Sequence, residues 1–168
     1  MAVLTDKGVI MLTPRCGSTY VLEFLRFHGI NHLNLTNHKF SRHTPFHLIK
    51  KCFSSEQKYY TLFRKPDEWY RSVWGIQKGT NYRKWELGKW HPFREIENIK
   101  GDKLQDWLNI VNSTCPNFYE RTMELYGNSE EKVMKIELPN LTKTLVDIFS
   151  KPPLKETRIN RTNYEQVE

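Results

Sequence analysis

The sequence predicts an α/β domain, a short parallel β-sheet of the phosphate-loop (P-loop) type flanked by α-helices. Two observations carry that prediction. Short apolar runs of strand character alternate along the chain with longer segments of helical periodicity, the order expected of a sheet covered by helices. The first of those strands then runs into a glycine-containing loop and a helix within about twenty residues, an arrangement that makes an anion cradle. The 168 residues read as a single domain, with a core over about 8–150, long enough to bury a substantial apolar interior.

The opening element is the run Val9, Ile10, Met11, Leu12, too short for a helix and bounded by turn formers, hence a buried strand. The loop Thr13-Pro14-Arg15-Cys16-Gly17-Ser18-Thr19 follows, in which Pro14 stops strand pairing and Gly17 lets the backbone turn sharply. From Ser18 the pattern turns helical: Val21, Leu22, Phe24, Leu25 and His28 share a face, and Gly29 suits the C-terminal cap. Amides of the loop and first turn converge there, and the helix dipole adds partial positive charge. The loop is not that of the nucleotide triphosphatases, because no glycine stands five residues before Gly17 and no lysine follows it. Nor is it a cysteine-phosphatase loop, which needs an arginine six residues after Cys16, where this chain has Leu22.

Residues 31–35 alternate like a short strand, and a polar loop over 36–45 carries His38, Lys39, Arg42 and His43. Phe46, Leu48, Ile49 and Phe53 mark a short amphipathic helix over 46–53. A second strand-rich run over 58–63 leads into Arg64-Lys65-Pro66-Asp67-Glu68 and a helix over 66–77. Pro66 sits well in a first helical turn, and Asp67 and Glu68 favour that end of the dipole. Arg64 can fork two hydrogen bonds onto a phosphate, and Ser72 can face the same side from the helix. Residues 78–100 are the least regular, interleaving Tyr82, Trp85, Trp90 and Phe93 with Arg83, Lys84, Lys89 and Arg94. Two readings of that stretch stand side by side: an acceptor-binding loop or lid that stacks and holds anions, and an insert whose aromatics cover the core. Helices over 104–111 and 117–126, a strand over 132–137 and a helix over 141–149 complete the core. Pro152-Pro153 then ends the last helix, and a basic tail runs over 151–168.

The two anion motifs together resemble the sulfotransferases that use 3′-phosphoadenosine 5′-phosphosulfate (PAPS). The loop Pro14-Arg15-Cys16-Gly17-Ser18-Thr19 is similar to that family's 5′-phosphosulfate loop, P-[KR]-x-G-[ST]-[ST]. Arg64, Pro66 and Ser72 match its second motif without a gap, in which the arginine and serine bind the 3′-phosphate that separates PAPS from ATP. The resemblance spans about 8–149 and implies a small, single-domain member. It implies that the amides of Cys16, Gly17, Ser18 and Thr19, with the hydroxyls of Ser18 and Thr19, hold the phosphosulfate. It gives Arg15 a catalytic as well as a binding role, and Tyr20 the place of an aromatic that stacks on adenine. His43 with Pro45 matches the family's H-x-P base segment, although Arg42 replaces the usual threonine. His47, His38 and Glu23 are rivals for the base. Arg161 stands where relatives close a basic loop over the 3′-phosphate, and Glu137 matches a structural glutamate after a late strand. The product would be 3′-phosphoadenosine 5′-phosphate (PAP), and the reaction needs no metal.

The net charge of +7 points to an anionic partner, and the 13% aromatic content argues against disorder. A nucleotide answers that charge, as would a sulfated or acidic acceptor; nucleic acid is the weaker candidate. The acceptor is a small molecule or carbohydrate hydroxyl or, second, an amine. Cys16, Cys52 and Cys115 are odd in number and lack C-x-x-C pairing, which gives neither a zinc site nor a disulfide framework. The first residues carry no signal-peptide apolar region and no run approaches membrane-spanning length, so the expectation is a cytoplasmic protein with no membrane partner. Two other classes fit part of the pattern. One is a P-loop kinase, which would lack its lysine; the other is a non-catalytic anion- or nucleic-acid-binding module resting on the charge and the aromatic–basic stretch.

Overall fold

The computed structural model describes residues 1–36, 43–54, 56–78 and 91–154. The chain opens on a hairpin that the sequence reading did not contain. β1 (Ala2–Thr5) and β2 (Gly8–Met11) pair antiparallel with Thr5 opposite Gly8, so that Asp6 and Lys7 alone form the connection. Gly8 is required on two counts: its φ is 139°, and a Cβ there would lie 2.6 Å from the Lys58 carbonyl oxygen.

This hairpin corrects the expected all-parallel sheet. β3 (Leu33–Leu35) adds to the other edge of β1, again antiparallel, while β4 (Tyr59–Phe63) and β5 (Val133–Glu137) continue from β2 in parallel. The result is a five-stranded mixed sheet in the order β3-β1-β2-β4-β5, flanked by helices. The α/β class stands, with the parallel part confined to β2, β4 and β5. The physical reason for the miss is that Ala2-Val3-Leu4 is a very short apolar run whose pairing depends on the turn that follows.

The helices are α1 (Ser18–Phe27), α2 (Phe46–Lys50), α3 (Pro66–Lys78), α4 (Leu104–Thr114), α5 (Phe118–Leu125) and α6 (Leu141–Phe149). α2 stops three residues short of the expected Phe53, whereas α4 continues three beyond Val111. Strand alternation divides the interior. Ile10, Leu12, Tyr60, Leu62 and Ile136 join the apolar faces of α1, α3, α4, α5 and α6. Val9, Met11, Tyr59 and Val133 point the other way, onto Phe46 and Ile49 of α2 and onto Tyr126.

The centre of the larger cluster is Trp69, fully buried on α3, with Tyr70, Phe93 and Tyr119 packed edge-on at 5.2–5.4 Å. Phe93 and Ile96 are buried too, so the described end of the 78–100 segment covers the core. Residues 79–90, with Tyr82, Trp85 and Trp90, lie outside the described residues, as do His38 and Arg161. Among the described residues, no helix is long and apolar enough to cross a membrane.

Candidate functional site

The carboxyl ends of β2 and β4 are neighbours, and the two sequence motifs leave the sheet there, side by side. After β2 the chain makes a tight turn: the Thr13 amide donates to the Met11 carbonyl at 3.1 Å, and the Cys16 amide to the Thr13 carbonyl at 3.3 Å. Arg15 and Gly17 both have positive φ, at 65° and 92°. For Gly17 this is inexpensive, but a non-glycine residue in the left-handed region is strained. The first intrahelical bond of α1 runs from the Val21 amide to the Gly17 carbonyl, and no side chain caps the helix start. The amides of the first turn therefore point out of the helix end without intrahelical acceptors.

Residues from the second motif close on this loop. Arg15 Nε donates to Ser72 Oγ at 2.9 Å across 57 residues of sequence. Arg64 Nη1 donates to the Arg15 carbonyl at 3.4 Å, and Arg64 Nε meets Glu68 at 3.4 Å on the same helix start. Trp69 Nε1 donates to the Pro14 carbonyl at 2.9 Å. Arg15, Arg64 and Ser72 thus form one cluster on the loop that leads into α1, whose start no side chain caps. One carboxylate, Glu68, shares Arg64 and is 44% exposed.

The other residues expected at this site take varied positions. Ser18 Oγ donates to the Thr13 carbonyl at 2.8 Å, tying down the loop, and Thr19 is exposed. The Cys16 amide is engaged within the loop and its side chain is fully buried. Burial pushes the Cys16 thiol up to about 12, against the smaller opposing pull of Arg64 and then Arg15. It is a neutral packing group, with none of the thiolate character a nucleophile needs. Ser72 is buried and serves as the acceptor for Arg15, joining the motifs. Tyr20 is partly buried and its hydroxyl accepts from Thr142 on α6 at 3.1 Å. Glu137 is exposed and ends β5.

His43 is held by a different set of groups. Its Nδ1 shares a 3.0 Å hydrogen bond with the Tyr126 hydroxyl, and its ring stands edge-on to His91 at 4.3 Å. Beside these rings lies a groove of about 710 Å³ whose walls include Phe46, His47, His91 and the ion-paired Glu95 and Arg121, 2.7 Å apart. Arg15, Arg64 and Ser72 are not among its lining residues. His47 is exposed on α2, and Glu23 is half-buried on α1. Among the described residues, no group of three histidine, cysteine or acidic side chains is arranged to hold a metal.

Trp69 and Tyr119 were not singled out in the sequence, and Glu68 only as an acidic residue at the helix start. Trp69 had a signal, since it follows Arg64 by five residues in the same motif. Tyr119 had none: its hydroxyl donates to the Arg64 carbonyl at 2.6 Å from 55 residues away.

Comparison with known proteins gives no match: no family model fits the chain, and no curated protein or solved structure is similar to it.

Proposed function

We propose that this protein transfers a sulfuryl group from PAPS to a hydroxyl or, second, an amine of a small-molecule or carbohydrate acceptor. The observation that carries the reading is the contact between motifs: Arg15 on Ser72 at 2.9 Å and Arg64 on the Arg15 carbonyl at 3.4 Å. Two segments remote in sequence, each matching one phosphate motif of that family, meet at adjacent parallel strand ends, where open α/β sheets bind ligands. The donor set fits a polyanion. It offers amides at the start of α1, two permanent cations and a partly buried setting in which charge interactions are strengthened.

PAPS, when bound, supplies an activated sulfuryl group and a 3′-phosphate. The amides from Gly17 to Tyr20 receive the phosphosulfate end, and Arg64 the 3′-phosphate. Arg15 neutralises negative charge that grows as the bond to the leaving phosphate breaks, a task suited to a cation that never deprotonates. Its bond to Ser72 fixes the direction of the guanidinium. The resemblance assigns the proton of the attacking hydroxyl to His43, whose ring Tyr126 holds at 3.0 Å beside the groove rather than among Arg15, Arg64 and Ser72.

The test is calorimetric titration with PAP, ADP and ATP-magnesium. PAP should bind in the micromolar range and ADP much more weakly. Arg64→Ala should weaken PAP by roughly ten- to a hundredfold, the loss of charge-assisted hydrogen bonds to a phosphate. Arg15→Ala should leave PAP affinity within about threefold and lower turnover instead. A preference for ATP-magnesium, or no nucleotide binding, would overturn the reading.

A further inference from the structure

Both phosphate motifs are anchored through carbonyl oxygens, and one of those anchors comes from outside either motif. Arg64 follows the last residue of β4 and precedes Lys65 and Pro66, and Pro66 has no N–H to give. Its carbonyl is met by the hydroxyl of Tyr119, at 2.6 Å, the shortest side-chain hydrogen bond described around the loop. Tyr119 is itself fixed. Its backbone amide lies in the first turn of α5, whose cap residue Asn117 has a left-handed backbone (φ 54°) and makes no side-chain cap. Tyr70 of α3 supplies the missing acceptor, its hydroxyl taking the Tyr119 amide at 3.1 Å.

These bonds close a circuit. From Arg64 the chain runs along α3 to Tyr70, crosses to the Tyr119 amide, and returns from the Tyr119 hydroxyl to the Arg64 carbonyl. Arg64 in turn reaches the Arg15 carbonyl, and Trp69, between them on α3, holds the Pro14 carbonyl. The ring of Tyr119 packs on Trp69 at 5.4 Å and is 6% exposed, so its hydroxyl has little freedom to turn elsewhere.

We infer that Tyr119 is a positioning residue for the anion site, orienting Arg64 through its carbonyl and, through Arg64, the backbone of the Arg15 loop. The inference rests on the proposed nucleotide site but concerns a residue that neither motif contains. Burial holds the hydroxyls of both Tyr119 and Tyr70 above the ordinary phenol range, so both stay protonated at physiological pH and Tyr119 remains a donor.

The experiment compares Tyr119→Phe with Trp107→Phe. Trp107 is buried in the same core, 6.2 Å from Tyr70, and its indole nitrogen has no hydrogen-bond partner among the described residues, so its loss probes packing alone. Backbone hydrogen exchange is read on the free proteins, and PAP affinity well below their melting temperatures. Tyr119→Phe should speed exchange of the hydrogen-bonded loop amides of Thr13, Cys16 and Val21 by about fivefold or more, leaving β5 and α6 unchanged, and should weaken PAP by about fivefold, one hydrogen bond's worth. Trp107→Phe should move neither. Tyr70→Phe, which keeps the ring but frees the Tyr119 amide, should reproduce the exchange effect in weaker form. Unchanged protection of the loop in Tyr119→Phe, or equal loosening by Trp107→Phe, would refute the inference. If wild-type protein fails to bind PAP, the nucleotide reading falls, while the exchange comparison still decides whether Tyr119 fixes the loop.

Discussion

Replacing Gly17 by alanine should damage the loop in two separable ways. Gly17 has φ 92°, where a side chain adds about 1–2 kcal/mol of backbone strain. A Cβ would also lie 2.5 Å from Leu141 Cδ2 and 2.9 Å from Leu138 Cδ1. Leu138 is half-buried and has room to give, but Leu141 is 3% exposed and packed in the core, so overpacking adds about 1–3 kcal/mol. The sum is about 2–5 kcal/mol, a sizeable share of a domain's total stability. For a chain of this size that lowers the melting temperature by about 5–20 °C. Gly29 is the control. Its φ is 60°, yet nothing lies within 4 Å of an added Cβ. Gly29→Ala should therefore carry only the conformational part, about 1–2 kcal/mol, or a drop of about 2–8 °C. Both melts can be followed by circular dichroism. If the two variants fall by the same amount, α6 does not press on the loop as described, and the reasoning fails.

Two further outcomes follow from the site. Because burial holds the Cys16 thiol at about 12, above its ordinary 9.0, the folded state keeps the proton that the unfolded chain gives up. Its stabilising effect is complete below pH 9 and is lost as pH rises towards 12, at a rate approaching about 1.4 kcal/mol per pH unit. Urea denaturation at pH 8 and 10.5 should show a shallower alkaline loss for Cys16→Ala than for wild type; parallel losses would mean that the thiol does not titrate as described. On the proposed function, His43→Ala should lower turnover by about 10²–10⁴ with PAP affinity unchanged, the effect of losing a general base. The larger effect appearing in His47→Ala instead would move that role to the exposed rival.

Much of this architecture is written locally. The run Val9 to Leu12, the turn at Gly17 and the helical face of Val21, Phe24 and Leu25 each show their structure within a few residues, and each forms as read. The same holds for the strand and helix on either side of Arg64. β1 escaped because three apolar residues make a strand only once Asp6 and Lys7 turn the chain back and β2 offers an edge. The spacing of Arg64 and Ser72 made them candidates for one anion site, but not partners of Arg15. That contact depends on β2 and β4 being adjacent and parallel, which periodicity does not fix. Tyr119 lay further still from view. Its aromatic ring reads as core in any helical pattern, and only the close approach of α5 to the end of β4 gives its hydroxyl a role.

The backbone at Arg15 is where local preference and global structure disagree. Three described non-glycine residues have positive φ; Ser150 stands at the C-terminal end of α6, where a left-handed residue completes a cap, and Asn117 is of a residue type that tolerates this backbone. Arg15 has no such excuse. It lies within a loop, at φ 65°, where glycine or asparagine would turn the chain with less strain. Such strain persists only where the surroundings over-determine the conformation. Here they do: Trp69 grips the carbonyl before it, Arg64 grips its own carbonyl, and Ser72 takes its Nε. A loop that needed only to turn would require none of these bonds. Together they fix a guanidinium in one direction, on Ser72, and that arrangement makes sense if the charge at this position matters more than the comfort of the backbone that carries it.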